Sequence, residues 1–499
     1  MTTRTRRQLM TCILLALLVV AIGLTGCAPT AEPQGFWGKV WSLEVGPDYR
    51  APELRPPETF RSQVGPSEAA SLADLPWWRV FDDESLKRLI ATALVHSYNL
   101  QAAVARVDEA RAWVWVAASP LYPHIGYEGQ ASREKVFFPA RLENAENPTF
   151  NSFAGLFNVV WELDVWGRIR RSTEAARANL FAQEYVRRGV ILTLVSDVAA
   201  GYFRLLELDR ELAIAEESSR TYKKTLELFT QRFEAGKDSR LPVVRAQAAY
   251  DSSIATIASL KRAIAQEENV LSVLSGAYPE EIERKTPLSG HAAPPVPVGL
   301  TSALMQRRPD LLEAEQTMMR ANAQVGVAMA DFFPRIGLSA LYGGQTQNID
   351  QILNSDFSIW SIFGGIAGPI FQGGQLLGTY YAQQAFWDDS VAQYKQKVLV
   401  AFQEVSDTLI AQKTLAAQRA AQESQVAALK EAVSLALLRY DVGRASYFEV
   451  LEAEMLLFPA EDALAQTERD QFLAVIDLYK ALGGGWRLGD AEWIPSTQR

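Results

Sequence analysis

The octapeptide RFEAGKDS, Arg232 to Ser239, returns 207 residues later as RYDVGRAS, Arg439 to Ser446. Each copy closes one apolar-periodic segment and opens another, with a glycine four residues after the arginine and a serine three residues beyond that. Glycine adopts a left-handed conformation without a Cβ clash, and serine is a favoured N-cap. Both copies therefore predict a tight reversal between two helices, at Gly236 and Ser239 and again at Gly443 and Ser446. Ser446 and Glu449 read as a capping box, and Pro242 is compatible with a first helical turn.

Working outward from the turns, the whole chain reads as two copies of one unit. Asn99 and Asp310, Leu100 and Leu311, Tyr122 and Phe333, and Pro123 and Pro334 are each 211 residues apart, whereas Gly167 and Gly374 keep the offset of 207. The difference places a four-residue deletion between Pro334 and Gly374. Self-similarity at a fixed spacing marks an internal duplication. Each copy begins with a helix, over about 84–118 and 299–331, that a proline stops. Two β-like segments follow, about 124–133 and 152–162, then 335–345 and 356–367. A glycine leads into a very long helix, about 168–235 and 375–442, and a returning helix spans about 240–275 and 446–482. The first repeat is 84–275, with a β-hairpin at 124–162 and a helical hairpin at 168–275. The second is 299–482, with its hairpins at 335–367 and 375–482. Residues 27–83, 276–298 and 483–499 lie outside the repeats.

In SFAGLFNVVWEL, Phe153, Phe157, Val159, Trp161 and Leu163 share one face with Gly155, while Ser152, Asn158 and Glu162 share the other. In RIGLSALYGG, Ile336, Leu338, Ala340 and Tyr342 alternate with small or mixed residues. Segments of about ten residues with one apolar face suit transmembrane β-strands, and a half-buried soluble sheet alternates identically. The long helices, if continuous, reach about 100 Å at 1.5 Å per residue. Val426, Leu429, Val433, Ala436 and Tyr440 follow the 3-4 spacing of a coiled-coil seam. Four strands cannot close a barrel in lipid, where the smallest barrels have about eight and open edges are not tolerated. A membrane sheet in this chain requires at least two copies.

The N-terminus sets the compartment. Arg4, Arg6 and Arg7 precede a 16-residue apolar run, LMTCILLALLVVAIGL, short for a membrane span and suited to a signal-peptide core. The run ends in LTGC, Leu24 to Cys27, which resembles a bacterial lipobox: residues 1–26 are removed and Cys27 is lipidated. Ala28, in place of an Asp, resembles an outer-membrane address. The other cysteine, Cys12, lies within the signal, so Cys27 has no disulfide partner. Acyl chains contribute about 0.8 kcal/mol per buried CH2, and more than one chain anchors stably. Without residues 1–26 the chain holds 46 basic and 58 acidic residues, a net charge of −12. That balance argues against nucleic acid, whose binding rests on clustered cations. No later segment has 18 consecutive apolar residues.

RRPDLLEAEQTMMRANAQVGVAMADFFPRIGLSA from Arg307, the closing LYKALGGGW (Leu478 to Trp486) and the paired R-[FY]-x-x-G-x-x-S turns are similar to the hallmarks of the TolC-like outer-membrane efflux factors, in their NodT/OprM-type lipoprotein branch. The resemblance runs from about Trp77 to Trp486. It implies a mainly α fold with a transmembrane β-barrel contribution: a homotrimer with a 12-stranded β-barrel and a 12-helix periplasmic barrel. Both termini and the 276–298 linker would form an equatorial belt. It implies a passive exit duct working with a periplasmic adaptor and an inner-membrane transporter, with no cofactor beyond the lipid (palmitate) on Cys27. The helical tips would dock the adaptor, through Arg232, Gly236, Ser239, Arg439, Gly443 and Ser446. Asp238 and Asp441 are candidate gate carboxylates, although they do not occupy matching repeat positions; Arg444 departs from acidic character there.

Two other readings compete. An enzyme finds little support: His96, His124 and His291 are scattered, and HExxH, CxxC and a phosphate loop are missing. The acidic pairs Asp82-Asp83 and Asp388-Asp389 read as solvated helix faces. A lipid-anchored periplasmic coiled-coil scaffold or adaptor without a pore explains the helices and Cys27, but leaves the four alternating segments without a purpose.

Overall fold

The computed structural model of the chain describes residues 43–54, 57, 59–61, 71–80, 83–135, 149–291 and 301–493. The signal segment, Cys27 and the β-hairpin connection 136–148 lie outside the described residues. The helices are α1 (Trp77–Val80), α2 (Glu84–His96), α3 (Tyr98–Ala118), α4 (Arg168–Glu234), α5 (Arg240–Leu274), α6 (Leu304–Arg307), α7 (Pro309–Ala330), α8 (Gln375–Asp441) and α9 (Tyr447–Ala481). The strands are β1 (His124–Lys135), β2 (Thr149–Leu163), β3 (Arg335–Thr346) and β4 (Ser358–Ala367). The order α-β-β-α-α thus occurs twice. Contacts group the chain into two compact units that each draw on both repeats: 1–51 with 109–180 and 316–391, and 52–108 with 181–315 and 392–499.

The expected single helix over 84–118 is two helices, broken at Ser97. In the second repeat the break falls at Arg308, 211 residues on, before Pro309. Proline disfavours a helical residue before it, which accounts for the second break. Ser97 is buried and takes an extended ψ of 120°. Asp83 is not a solvated acid: it is buried and accepts the Leu86 amide at 2.8 Å, capping α2. Asp388 and Asp389 are exposed, as expected, and Asp82 lies outside the described residues.

In the first unit the four strands form one antiparallel sheet in the order β1-β2-β3-β4. Trp161 and Trp166 fix the sheet to the segments that follow α3 and α7. The Trp161 indole N–H donates to the Leu121 carbonyl at 3.0 Å, and that of Trp166 donates to the Pro334 carbonyl at 2.7 Å. A strap at 44–48 crosses the start of α4, where Arg171 pairs with Glu44 and Asp48, both at 2.9 Å.

The second unit is helical. The seam expected on α8 packs against α9: Val426, Leu429 and Val433 meet Leu457, Ala460 and Leu464. Ala436 and Tyr440 join a cluster nearer the turns with Tyr222, Phe229, Tyr447 and Val450. Pro459 lies inside α9, a feature the periodicity does not reveal; it has no N–H for the carbonyl of Met455. By composition α4 holds a stretch apolar enough to cross a bilayer, but 67% of it is buried within the protein, as in a core helix. The segments 74–77 and 486–493 meet here. The Trp77 indole donates to the Trp493 carbonyl at 2.9 Å, and the Trp486 indole donates to Asp74 at 3.0 Å. Arg307 and Arg487 lie over the Trp486 ring at 5.0 and 4.9 Å.

Candidate functional site

Two places are candidates for function: one face of the sheet and the two turns. In the sheet, the register aligns Tyr127 with Phe157, Phe157 with Tyr342, and Tyr342 with Trp360. One aromatic row therefore crosses all four strands, with exposures of 85%, 63%, 55% and 71% in that order. The neighbouring row on the same face is Ile125, Val159, Ala340 and Ile362. The opposite face carries His124, Glu128, Asn158, Glu162, Ser339 and Ser361 among small residues, with Leu156, Val160, Leu341, Ile359 and Phe363 interspersed. One face is thus apolar and ends in an aromatic belt, the other is mostly small or polar, and neither is buried in the chain. Among the described residues, β1 pairs only with β2 and β4 only with β3, which leaves both outer edges open.

The two turns are built alike. Gly236 and Gly443 both have φ of +70°. The Lys237 and Arg444 amides donate to the Arg232 and Arg439 carbonyls at 2.9 and 2.8 Å, and the glycine amides donate to Phe233 and Tyr440 at 2.9 Å. This is the Schellman pattern, which satisfies the last carbonyls of α4 and α8. Ser239 and Ser446 occupy the N-cap positions with extended backbones, but neither side chain caps. The expected capping box at Ser446 does not form, because Glu449 turns to Arg439 at 3.0 Å instead. The Glu449 amide donates to the Ser446 carbonyl at 3.1 Å, and the Glu449 carboxylate takes the charged Arg439 in preference to the Ser446 amide.

Charges separate the two turns. Arg232 pairs with Asp238 across the first turn and donates to the Tyr440 hydroxyl at 3.2 Å, which ties one hairpin to the other. Arg439, its repeat equivalent, reaches Glu449. Asp238 is thus held by a guanidinium, and the side chain of Asp441 lies outside the described residues. Between the hairpins runs a groove of about 380 Å³, floored by Phe229, Leu241, Tyr447 and Phe448 and edged by Arg232 and Arg245. A Cβ added at Gly236 or Gly443 would meet nothing within 4 Å, so both turns are open on the outside. The Arg232–Tyr440 bond links residues 208 apart in two hairpins, and no local pattern signals it.

A family model described as "Outer membrane efflux protein" matches residues 89–277 and 300–484, one segment in each repeat. The chain belongs to the outer membrane efflux protein family. It is 33% identical to an antibiotic efflux pump outer membrane protein, ArpC of Pseudomonas putida, over 96% of each chain. It is 32% identical to the cation efflux system protein CusC of Escherichia coli, over 93% of this chain and 98% of that one. A solved structure of the open state of the Neisseria gonorrhoeae MtrE outer membrane channel superposes with a TM-score of 0.80 at 28% identity, covering 89% of this chain and 98% of that one. As a member of the family this protein is an outer-membrane efflux channel, built from long helices and a small antiparallel sheet.

Proposed function

We propose that three copies of this efflux protein close their sheets into one 12-stranded barrel, as the exit duct of a tripartite pump. The carrying observation is the aromatic row on a sheet whose two outer edges are both unpaired. Within a bilayer each unsatisfied backbone group costs several kcal/mol, so β1 of one copy must meet β4 of the next. Cys27 carries the acyl chains that hold the N-terminus at the membrane, and the lipid is the only added group. Water fills the lumen, conduction is passive, and an inner-membrane transporter supplies the energy. The two turns dock a periplasmic adaptor, with Arg232 and Arg439 shaping them, Gly236 and Gly443 keeping them thin, and Ser239 and Ser446 starting the returning helices. Asp238 and Asp441 lie at or beside the turns, where a constriction would pass cationic solutes preferentially.

The test is purified full-length protein in detergent and in planar bilayers. A heat-dissociable trimer with stepwise conductance supports the duct; a detergent-independent, electrically silent monomer refutes it and favours the scaffold. Gly236→Trp or Gly443→Trp tests docking: export should be lost while trimers and conductance persist. Export at the wild-type level in both variants would remove the docking role. Labelled palmitate should enter the wild-type chain and not Cys27→Ala.

A further inference from the structure

Several carboxylates of the helical hairpins are matched to cations, and Glu267 and Asp462, each with one unpartnered oxygen, are only half-buried. Glu449 meets Arg439 at 3.0 Å, Glu461 meets Lys430 at 2.8 Å, and Glu207 meets Arg469 at 3.1 Å. Glu454, on α9 between the tip and the middle of the hairpin, is different. It is 4% exposed, and its Oε2 atom has no hydrogen-bond partner. The groups facing it are uncharged. They are Tyr222 of α4 and Tyr447 of α9 itself, whose hydroxyls are bonded in turn to Ser218 and Thr225 of α4. Tyr440 of α8 packs on Tyr447 with ring centroids 4.9 Å apart, and Tyr250 of α5 borders the same cluster. The nearby cations of α4, Arg220, Lys223 and Lys224, are exposed. Because the chain's own helices already enclose Glu454, an adjoining copy has almost no open surface through which to offer it a cation.

We propose that Glu454 is a proton-operated wedge in the seam directly above the tip, closed when its carboxyl is neutral and pried open when it ionises. An isolated carboxylate is expensive to bury, so a charged Glu454 must draw in water or move toward it. Either movement separates α9 from α4 within the aromatic cluster that sets the spacing of the tips. Burial alone pushes this carboxyl up to about 7.

The sign follows from linkage. The closed seam holds the proton more tightly than a hydrated one, so closure is favoured at low pH. It weakens as pH rises from about 4.5 to about 7 and is flat above that. The ratio of open to closed seam then grows about 10-fold between pH 6 and pH 8. The first repeat has no such device, since the equivalent position is Gln247, exposed and bonded to Asp251 at 2.8 Å.

The test is hydrogen–deuterium exchange on the full-length protein in detergent at pH 6, 7 and 8, corrected for intrinsic rates. Peptides covering residues 447–460 should lose about 10-fold protection from pH 6 to pH 8 in the wild type, and Glu454→Gln should abolish that loss. Equal profiles for wild type and Glu454→Gln overturn the proposal. Should the variant fail to assemble, the wild-type profile decides: constant protection across that range overturns it equally. The readout needs no conduction, so failure of the wedge and failure of the duct are separately visible.

Discussion

Four left-handed glycines follow the helices of the hairpins, and the structure separates them into two pairs with different expected sensitivities. Gly236 and Gly443 end α4 and α8 with φ of +70°, and Gly276 and Gly483 follow α5 and α9 with φ of +73°. Alanine in a left-handed conformation costs roughly 1–2 kcal/mol. At the tips that is the whole penalty, because an added Cβ meets nothing. At Gly276 the Cβ would lie 2.4 Å from the His96 carbonyl oxygen, and at Gly483 it would lie 2.8 Å from the Arg307 carbonyl group. Those atoms are helix-end backbone, which yields only by moving α2 or α6. Overpacking of this kind adds about 1–3 kcal/mol, for a total near 2–5 kcal/mol. The assay is the heat-unfolding midpoint of purified protein, with each glycine changed to Ala and to Asn. Tip alanines should lower it by a few degrees and junction alanines by at least twice as much. Asn tolerates left-handed backbone, so it should restore the tips and fail at the junctions. Equal shifts at both pairs, or rescue by Asn at all four sites, would refute the assignment of the extra penalty to the backbone contact.

Other predictions concern the sheet and the buried charges. Ile362→Arg, on the apolar face, should lower barrel stability by about 2–4 kcal/mol, whereas Ser361→Arg on the other face should be tolerated; heat-modified electrophoretic mobility reads both. Arg308→Met removes a guanidinium that bonds Asp310 at 2.7 Å, Glu404 at 2.6 Å and the Ala481 carbonyl at 3.0 Å. Burial opposes ionisation of Asp310, yet Arg308 holds its carboxyl below the usual range. The variant should lose about 3–5 kcal/mol, and adding Asp310→Leu should recover part of it in a thermal-shift series. Burial and the nearby Glu211, opposed by Arg469, push Glu207 up to about 7. A carboxyl raised in the folded state stabilises below its unfolded value, and that benefit is lost as pH climbs through about 7. Glu207→Gln should therefore flatten the fall in thermal midpoint between pH 5 and pH 8, and an unchanged slope counts against this.

The duplication made most of the fold legible. Period and turn chemistry are local properties, so the long helices were placed to within one residue: about 168–235 against Arg168–Glu234, and about 375–442 against Gln375–Asp441. The strands emerged for the same reason, since alternation and proline stops are written in the chain. Less legible was whatever depends on a distant partner. The Glu449 carboxylate had two candidate partners within reach, and the local capping rule chose the amide while the structure chose Arg439. Asp83 looked like half of a solvated acidic pair because nothing in its neighbourhood announces its burial among Tyr202 and His291. Gly276 and Gly483 could have been found. They stand 207 residues apart, the same offset as the tip glycines, which marks them as a second conserved device of the repeat.

Duplication also explains where novelty lies. Two copies of one backbone must keep the elements that every hairpin needs, and here those are the left-handed glycines and the Schellman bonds. Side chains that do not serve the backbone are free to diverge, and at the tips they have. Arg232 spans to Asp238 and Tyr440, whereas Arg439 stays on its own hairpin with Glu449. The first hairpin carries an exposed Gln247 where the second buries an unpaired Glu454. A tube wall made of identical hairpins would respond to pH or to a partner everywhere alike. Burying a carboxyl without a cation near the second tip places a protonatable group in the α9 seam, while at the first tip Asp238 stays locked to Arg232.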